Sequence, residues 1–333
     1  MKRALVLSGG GARGAFELGA LEYIREKQPS YFDFQIIAGV SVGSLNGVML
    51  AQDKFETLQK LWADISDDKV YSGQIPKTLF EYIGLILKIL FGRRSILGIE
   101  PLIKQINASV NLADVKTDYR CGFVSLVSGE YIPCKHVEFG GDNENFRKAI
   151  LASSTMPLIW EPVDKIKIGN ETYDELVDGG VRNISPLKDV IVDQPTEIII
   201  INCSTGESHP APDAGKSIFK IAQRALTDIT INEIFRGDIE EFVKTNDIVK
   251  QCDGKLTLYR DKEKGEVYKY FKSIIIEPLV ALGDSLDFSS EQIQRSRQAG
   301  YAAAEAAFAK EEATPKPQTG RPMTTVRSYK ETK

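Results

Sequence analysis

The chain has 333 residues, 42% hydrophobic and 26% charged, which fits a globular protein of one large or two small domains and not a disordered or collagen-like chain. A formal net charge of -4 lacks the basic excess of a nucleic-acid binder, so no nucleic-acid partner is expected. Four scattered cysteines (Cys121, Cys134, Cys203, Cys252) form no C-x-x-C pair, and His136 and His209 are too few for a multi-histidine centre; neither metal nor cofactor is expected.

Met1-Lys2-Arg3 is a short basic start, but only Ala4 to Leu7 are continuously apolar before Ser8 and Gly9. A secretory signal needs roughly 7–15 apolar residues. No segment reaches the roughly 18 of a membrane span. A cytoplasmic protein, at most peripheral at a membrane, is the expectation.

Arg3 to Leu7 reads as a buried strand, and Gly9-Gly10-Gly11-Ala12-Arg13-Gly14 follows at once. Leu18, Leu21 and Ile24 then recur at helical spacing. Asp33 to Ala38 reads as a second strand running into Gly39-Val40-Ser41-Val42-Gly43, with a helix from Ser44 to Ala51. Two strand–turn–helix units in succession predict an α/β fold with a parallel sheet. Further on, the pattern predicts helices over 55–65 and 79–90, and a hairpin of 119–127 with 131–137 about Ser128-Gly129. Another helix is expected over 146–154, then a central strand over 197–203, whose Ile198 to Ile201 run is typical of a buried parallel strand. Residues 214–246 read as a long helical stretch broken near Gly237, 273–276 as a last strand and 290–310 as a final helix. The Pro-, Thr- and Lys-rich residues 311–333 read as a disordered tail after a single domain over 1–310.

Gly39 to Gly43 matches G-x-S-x-G between a strand and a helix. In that setting the serine sits on a strained turn with its hydroxyl at the sheet edge, and the flanking glycines avoid collisions with neighbouring backbone. Ser41 is therefore the candidate nucleophile. The run Gly9 to Gly14 opens a helix, and its amides can converge on an anion, either a phosphate or the oxyanion of an acyl intermediate. It ends Arg13-Gly14-Ala15 and not Gly-Lys-Ser/Thr, and the second strand ends in Gly39-Val40-Ser41 with no acidic residue, so neither nucleotide fingerprint is complete.

A serine nucleophile needs a base. Chain order permits a triad through His209, in a polar loop after the 197–203 strand, whereas His136 reads as structural. The other candidate is Asp178 in Leu176-Val177-Asp178-Gly179-Gly180, where the glycines permit a sharp turn and close backbone approach.

Gly9 to Gly14, Gly39 to Gly43 and Asp178-Gly179-Gly180, taken in that order with Ala152-Ser153-Ser154-Thr155-Met156-Pro157, resemble the motifs of the patatin-like phospholipase family over residues 1–205. The resemblance implies a three-layer α/β/α fold with a mostly parallel central sheet. It implies a Ser41–Asp178 dyad without histidine, an oxyanion hole from Gly9, Gly10, Gly11, Ala12, Arg13 and Gly14, and turn support from Gly39, Gly43, Gly179 and Gly180. The implied activity is hydrolysis of lipid acyl esters through an acyl-enzyme. A lipid-binding or regulatory protein without catalysis on the same fold is the alternative. Leu79 to Phe91, the most apolar segment, followed by Arg93-Arg94, could contact a membrane surface or form a buried helix.

Overall fold

The computed structural model describes residues 2–73, 94–205, 210–216, 220–221, 224–261 and 264–313. The Leu79–Phe91 segment, His209 and the tail beyond residue 313 lie outside them.

A seven-stranded sheet forms the middle layer. It comprises β1 (Arg3–Leu7), β2 (Ile36–Gly39), β3 (Asp118–Ser125), β4 (Tyr131–Lys135), β7 (Leu176–Asp178), β8 (Glu197–Ile201) and β11 (Lys272–Ile276). The order is β11-β8-β1-β2-β3-β4, with β7 also pairing with β3. From β11 to β3 every neighbour is parallel, and β4 and β7 join β3 antiparallel. Two small hairpins lie apart: β5 (Ile166–Ile168) with β6 (Glu171–Tyr173), and β9 (Lys255–Asp261) with β10 (Lys264–Lys269).

Strand alternation divides the core into two faces. Leu5, Leu7, Ile37, Ile199 and Ile201 point to one side. There they meet α1 (Ala15–Lys27), α2 (Val42–Ala51), α3 (Phe55–Ala63), α5 (Glu100–Ser109), α6 (Asn143–Ser153) and α9 (Ser290–Ala313); the short α4 is Asp67–Val70. Ala4, Val6, Ile36, Ala38, Ile198 and Ile200 point to the other side, against α7 (Leu187–Ile191) and α8 (Ile231–Gln251). Sequestering both faces explains why the β8 run carries isoleucine at every position from Ile198 to Ile201. The expected mostly parallel sheet between helical layers is the fold observed.

Some expected boundaries shift. The helical stretch is not broken at Gly237: α8 runs through it, and the irregular part lies upstream, a wide π-type turn over Arg224–Thr230. A glycine costs a helix interior about 1 kcal/mol. Burial of Phe235, Ile239, Phe242 and Val249 along one stripe of α8 offsets that cost. The last helix extends to Ala313, past the expected start of the tail, and Glu311 pairs with Lys272 at 3.2 Å.

At the amino-terminal edge of the sheet, Glu197 ties three strands together. It accepts from Arg3 Nε at 2.6 Å and pairs with Lys272 Nζ at 2.8 Å. At the opposite edge the carboxyl ends of β1, β2 and β8 lie level, with Leu7 beside both Gly39 and Ile201. The glycine run, Ser41 and Cys203 follow these ends, so the chain is delivered to a common crevice, where ligands bind in open parallel sheets.

Candidate active site

Ser41 occupies the turn between β2 and α2 with φ 58° and ψ -132°. A non-glycine residue at such dihedrals costs roughly 1–3 kcal/mol and persists only where its surroundings over-determine it. They do so here. The Ser41 N–H donates to the main-chain oxygen of Ser153 at 2.9 Å and to its hydroxyl at 3.2 Å. The Ser41 carbonyl accepts from the Ser44 hydroxyl at 2.7 Å, the Ser44 N–H at 2.9 Å and the Ser154 hydroxyl at 3.1 Å. Gly43 is required because a Cβ there would lie 2.5 Å from the Leu7 and Ser8 carbonyl oxygens. The turn thus presses directly on β1.

Asp178 reaches the same place from another direction. Residues Arg120–Val124 of β3 pair with β4 along one edge, so β7, pairing with Phe123–Ser125, must take the edge that β2 occupies. On that edge β2 stops at Gly39, opposite Cys121, and the antiparallel β7 stops at Asp178, opposite Phe123. The two strands therefore meet head to head, with Ser41 and Asp178 at the junction. The Asp178 N–H donates to the Thr155 carbonyl at 2.8 Å. The segment Ser153-Ser154-Thr155 at the carboxyl end of α6 consequently holds both candidate residues.

The Asp178 side chain accepts from the Gly180 N–H at 2.8 Å. It is 5% exposed. Burial pushes its carboxyl up to about 7, against the Ser41 hydroxyl and the Gly180 amide, which favour the charged form.

The glycine run closes over Ser41. A Cβ on Gly9 would lie 2.8 Å from the Ser41 Cβ, so only glycine permits this approach. Its amides are not equivalent. Gly9 donates to the Ile184 carbonyl, Ala12 to that of Ser285 and Arg13 to that of Gly10. Gly14 belongs to a 3-10 turn over Gly11–Gly14. Among the described residues, the Gly10 and Gly11 amides have no main-chain acceptor.

Two cavities meet at Ser41 and Asp178. One, of about 20 Å³, is lined by Gly9, Gly10, Arg13, Ile184 and Cys203 and holds about one water-sized group. The other, of about 110 Å³, is almost wholly apolar; Leu45, Met49, Leu58, Trp62, Ile106 and Trp160 contribute to its wall. No histidine lines either cavity among the described residues. His136 instead accepts from the Tyr119 N–H at 3.2 Å through Nδ1. Among the described residues no group of three His, Cys, Asp or Glu could hold a metal ion. No helix among them is long and apolar enough to cross a membrane.

The motifs located Ser41, Asp178 and the glycine run, but gave no role to Ser153, Ser154 or Thr155. Their signal is the Ala152–Pro157 segment itself, in which two serines and a threonine end a helix and proline prevents its continuation.

The fold is similar to two solved structures. VipD from Legionella pneumophila has a TM-score of 0.44 and 13% identity, over 93% of this chain and 67% of that one. The type III effector protein ExoU has a TM-score of 0.41 and 12% identity, over 93% of this chain and 53% of ExoU, so this chain spans about half of that protein's length. No curated protein matches the chain. The family model described as patatin-like phospholipase matches residues 5–191, which take in the glycine run, the Ser41 turn and Asp178. The chain belongs to the patatin-like phospholipase family.

Proposed function

We propose that the protein hydrolyses acyl esters of lipids, with Ser41 as nucleophile and Asp178 as its base. The observation that carries this reading is the convergence of a strained, buried serine and a buried carboxyl on one crevice, between an apolar cavity and a pocket beneath glycine amides.

The cavities divide the substrate. An acyl chain enters the apolar one, and the carbonyl oxygen turns toward the Gly10 and Gly11 amides. Asp178 takes the Ser41 proton as Oγ bonds to the carbonyl carbon, and the charge moves to the carbonyl oxygen. Amide donors placed for that oxyanion contribute about 2.7–4 kcal/mol each to lowering the barrier. Asp178 then returns the proton to the departing alcohol as the C–O bond breaks, leaving an acyl-enzyme. Water gives its proton to Asp178 and attacks the acyl carbon. Collapse frees the fatty acid and restores the Ser41 hydroxyl with the proton Asp178 held.

A carboxylate in water is too weak a base for this task; burial raises the proton affinity of Asp178 into the working range. The test is a panel of p-nitrophenyl esters, phospholipids and lysophospholipids assayed with wild type and Ser41→Ala. Ester cleavage abolished by the substitution is expected. A protein that binds these lipids but cleaves none would instead be the non-catalytic alternative.

A further inference from the structure

Beneath the glycine run lies a carboxyl that the proposed reaction does not use. Glu17, in the first turn of α1, is fully buried. No cation pairs with it among the described residues. Its Oε2 accepts from Asn46 Nδ2 at 2.8 Å, and its Oε1 accepts from the Cys203 thiol at 3.5 Å. The same Asn46 nitrogen donates to the Gly14 carbonyl at 3.1 Å, and Asn46 Oδ1 accepts from Trp62 Nε1 at 2.8 Å. From the far side, the Cys203 N–H donates to the Ser8 hydroxyl at 2.9 Å, which donates to the Gly9 carbonyl at 3.2 Å. One carboxyl thus joins the helix after the glycine run, the helix after Ser41 and the loop after β8. Trp62 carries the connection to the apolar cavity wall.

We propose that Glu17 is a positioning residue that holds the glycine amides at their working distance from Ser41, and does so as a neutral acid. The inference rests on the reading of Ser41 and the glycine run given above. A buried carboxyl without a counter-charge keeps its proton, and burial pushes Glu17 up to about 8, with Asn46, Cys203 and the Ser8 main chain opposing. The charge state matters because α1 begins directly behind the glycine run, so its positive end faces the site of the oxyanion. A carboxylate in the first turn cancels that end and repels the developing charge.

The groups facing Glu17 are Asn46 and the Ser8 main chain, which carry no charge, and the Cys203 thiol, which burial pushes well above its ordinary value. Arg13 acts on that thiol from the glycine run. Glu17 is therefore the group in this network that ionises near pH 8, and catalysis falls as it does so.

The test is the pH profile of kcat/KM on a soluble p-nitrophenyl ester for wild type, Glu17→Gln, Glu17→Ala and Ser41→Ala. Wild type loses activity tenfold per pH unit above about 8. Glu17→Gln, which keeps an acceptor oxygen for Asn46 and turns its NH2 as a donor toward Cys203 Sγ but cannot ionise, keeps activity at pH 7 within threefold and loses this alkaline fall. Glu17→Ala lowers kcat at least tenfold with KM little changed; where circular dichroism shows that it does not fold, the glutamine profile decides alone. An alkaline fall unaltered in Glu17→Gln, or wild-type kcat in folded Glu17→Ala, overturns the inference while leaving the Ser41 reading intact. Turnover that survives Ser41→Ala overturns that reading instead, and this one with it.

Discussion

The Ser41 N–H donates to both the main-chain oxygen and the hydroxyl of Ser153, at 2.9 and 3.2 Å, so the strained turn hangs from the carboxyl end of α6. Two residues on, the Thr155 carbonyl accepts from the Asp178 N–H at 2.8 Å. The proposed nucleophile and base, brought head to head by the sheet, are thus also tied to one short segment. Because misplacement of a reacting group is costly, this segment should control rate.

Replacing Ser154 by Ala removes a hydroxyl that donates to the Ser41 carbonyl at 3.1 Å and is buried with it. Stability is expected to fall by about 1 kcal/mol. The kcat on p-nitrophenyl butyrate should fall roughly tenfold as the turn relaxes. Ser153→Ala keeps the main-chain acceptor and should do less on both counts. Thermal melts and steady-state rates check the order; a larger effect at Ser153 contradicts it.

Asp178 must be ionised to accept a proton, so kcat/KM should rise with pH up to about 7, the acid limb of a profile whose alkaline limb is the Glu17 fall above about 8. Asp178→Asn is expected to lose roughly 10²–10⁴-fold in turnover. The same group predicts a stability effect of definite sign. Its folded value is raised from 3.8, so the folded state holds a proton that the unfolded chain releases, and wild-type stability is lost as pH rises from about 4 to about 7. Asp178→Asn escapes this loss. Its advantage in urea unfolding should grow across that window, by up to about 4 kcal/mol, and stay level above it. A constant difference contradicts the raised value.

Gly9→Ala introduces a methyl group 2.4 Å from Ile184 Cδ1 and 2.8 Å from the Ser41 Cβ. The Ile184 contact can be relieved, since it meets the end of a flexible side chain, but the Ser41 contact cannot. Gly9→Ala should therefore lose roughly 10²-fold or more in kcat. Adding Ile184→Ala should relieve the Ile184 contact without restoring rate. Recovery of rate in the double variant would assign the damage to Ile184 alone.

Glu17 gives a second pH signature, in stability rather than rate. Its folded value lies near 8, raised from 4.5, so wild-type stability declines as pH climbs between those limits. Relative to wild type, Glu17→Gln should gain a few kcal/mol across that interval and nothing further above it. Melting temperatures of both proteins from pH 5 to 9 provide the measurement, and parallel curves contradict it.

The glycine run and the Ser41 turn were legible in the sequence because each is local: a strand, a glycine-flanked turn and a helix follow one another without a break. Asp178 was legible from its own residues only as a motif; its pairing with Ser41 came from the family resemblance. Its position depends on β7, a strand of three residues with no periodicity, and on how β3 shares its edge between β2 and β7. Similar reasons hid the rest. The β9–β10 hairpin alternates charged and apolar residues too sparsely to stand out, and the role of Ser154 depends on a contact with a turn far away in the chain. Nothing in the local sequence marks Glu17; the packing of α2, α3 and the loop after β8 around it removes it from water.

The most direct test of the central claim is peptide mapping after exposure to a fluorophosphonate. The account predicts one adduct, on Ser41, which forms faster as pH rises through about 7 and is lost in Asp178→Asn. A folded protein that takes no label, or takes it at a residue other than Ser41, would contradict it.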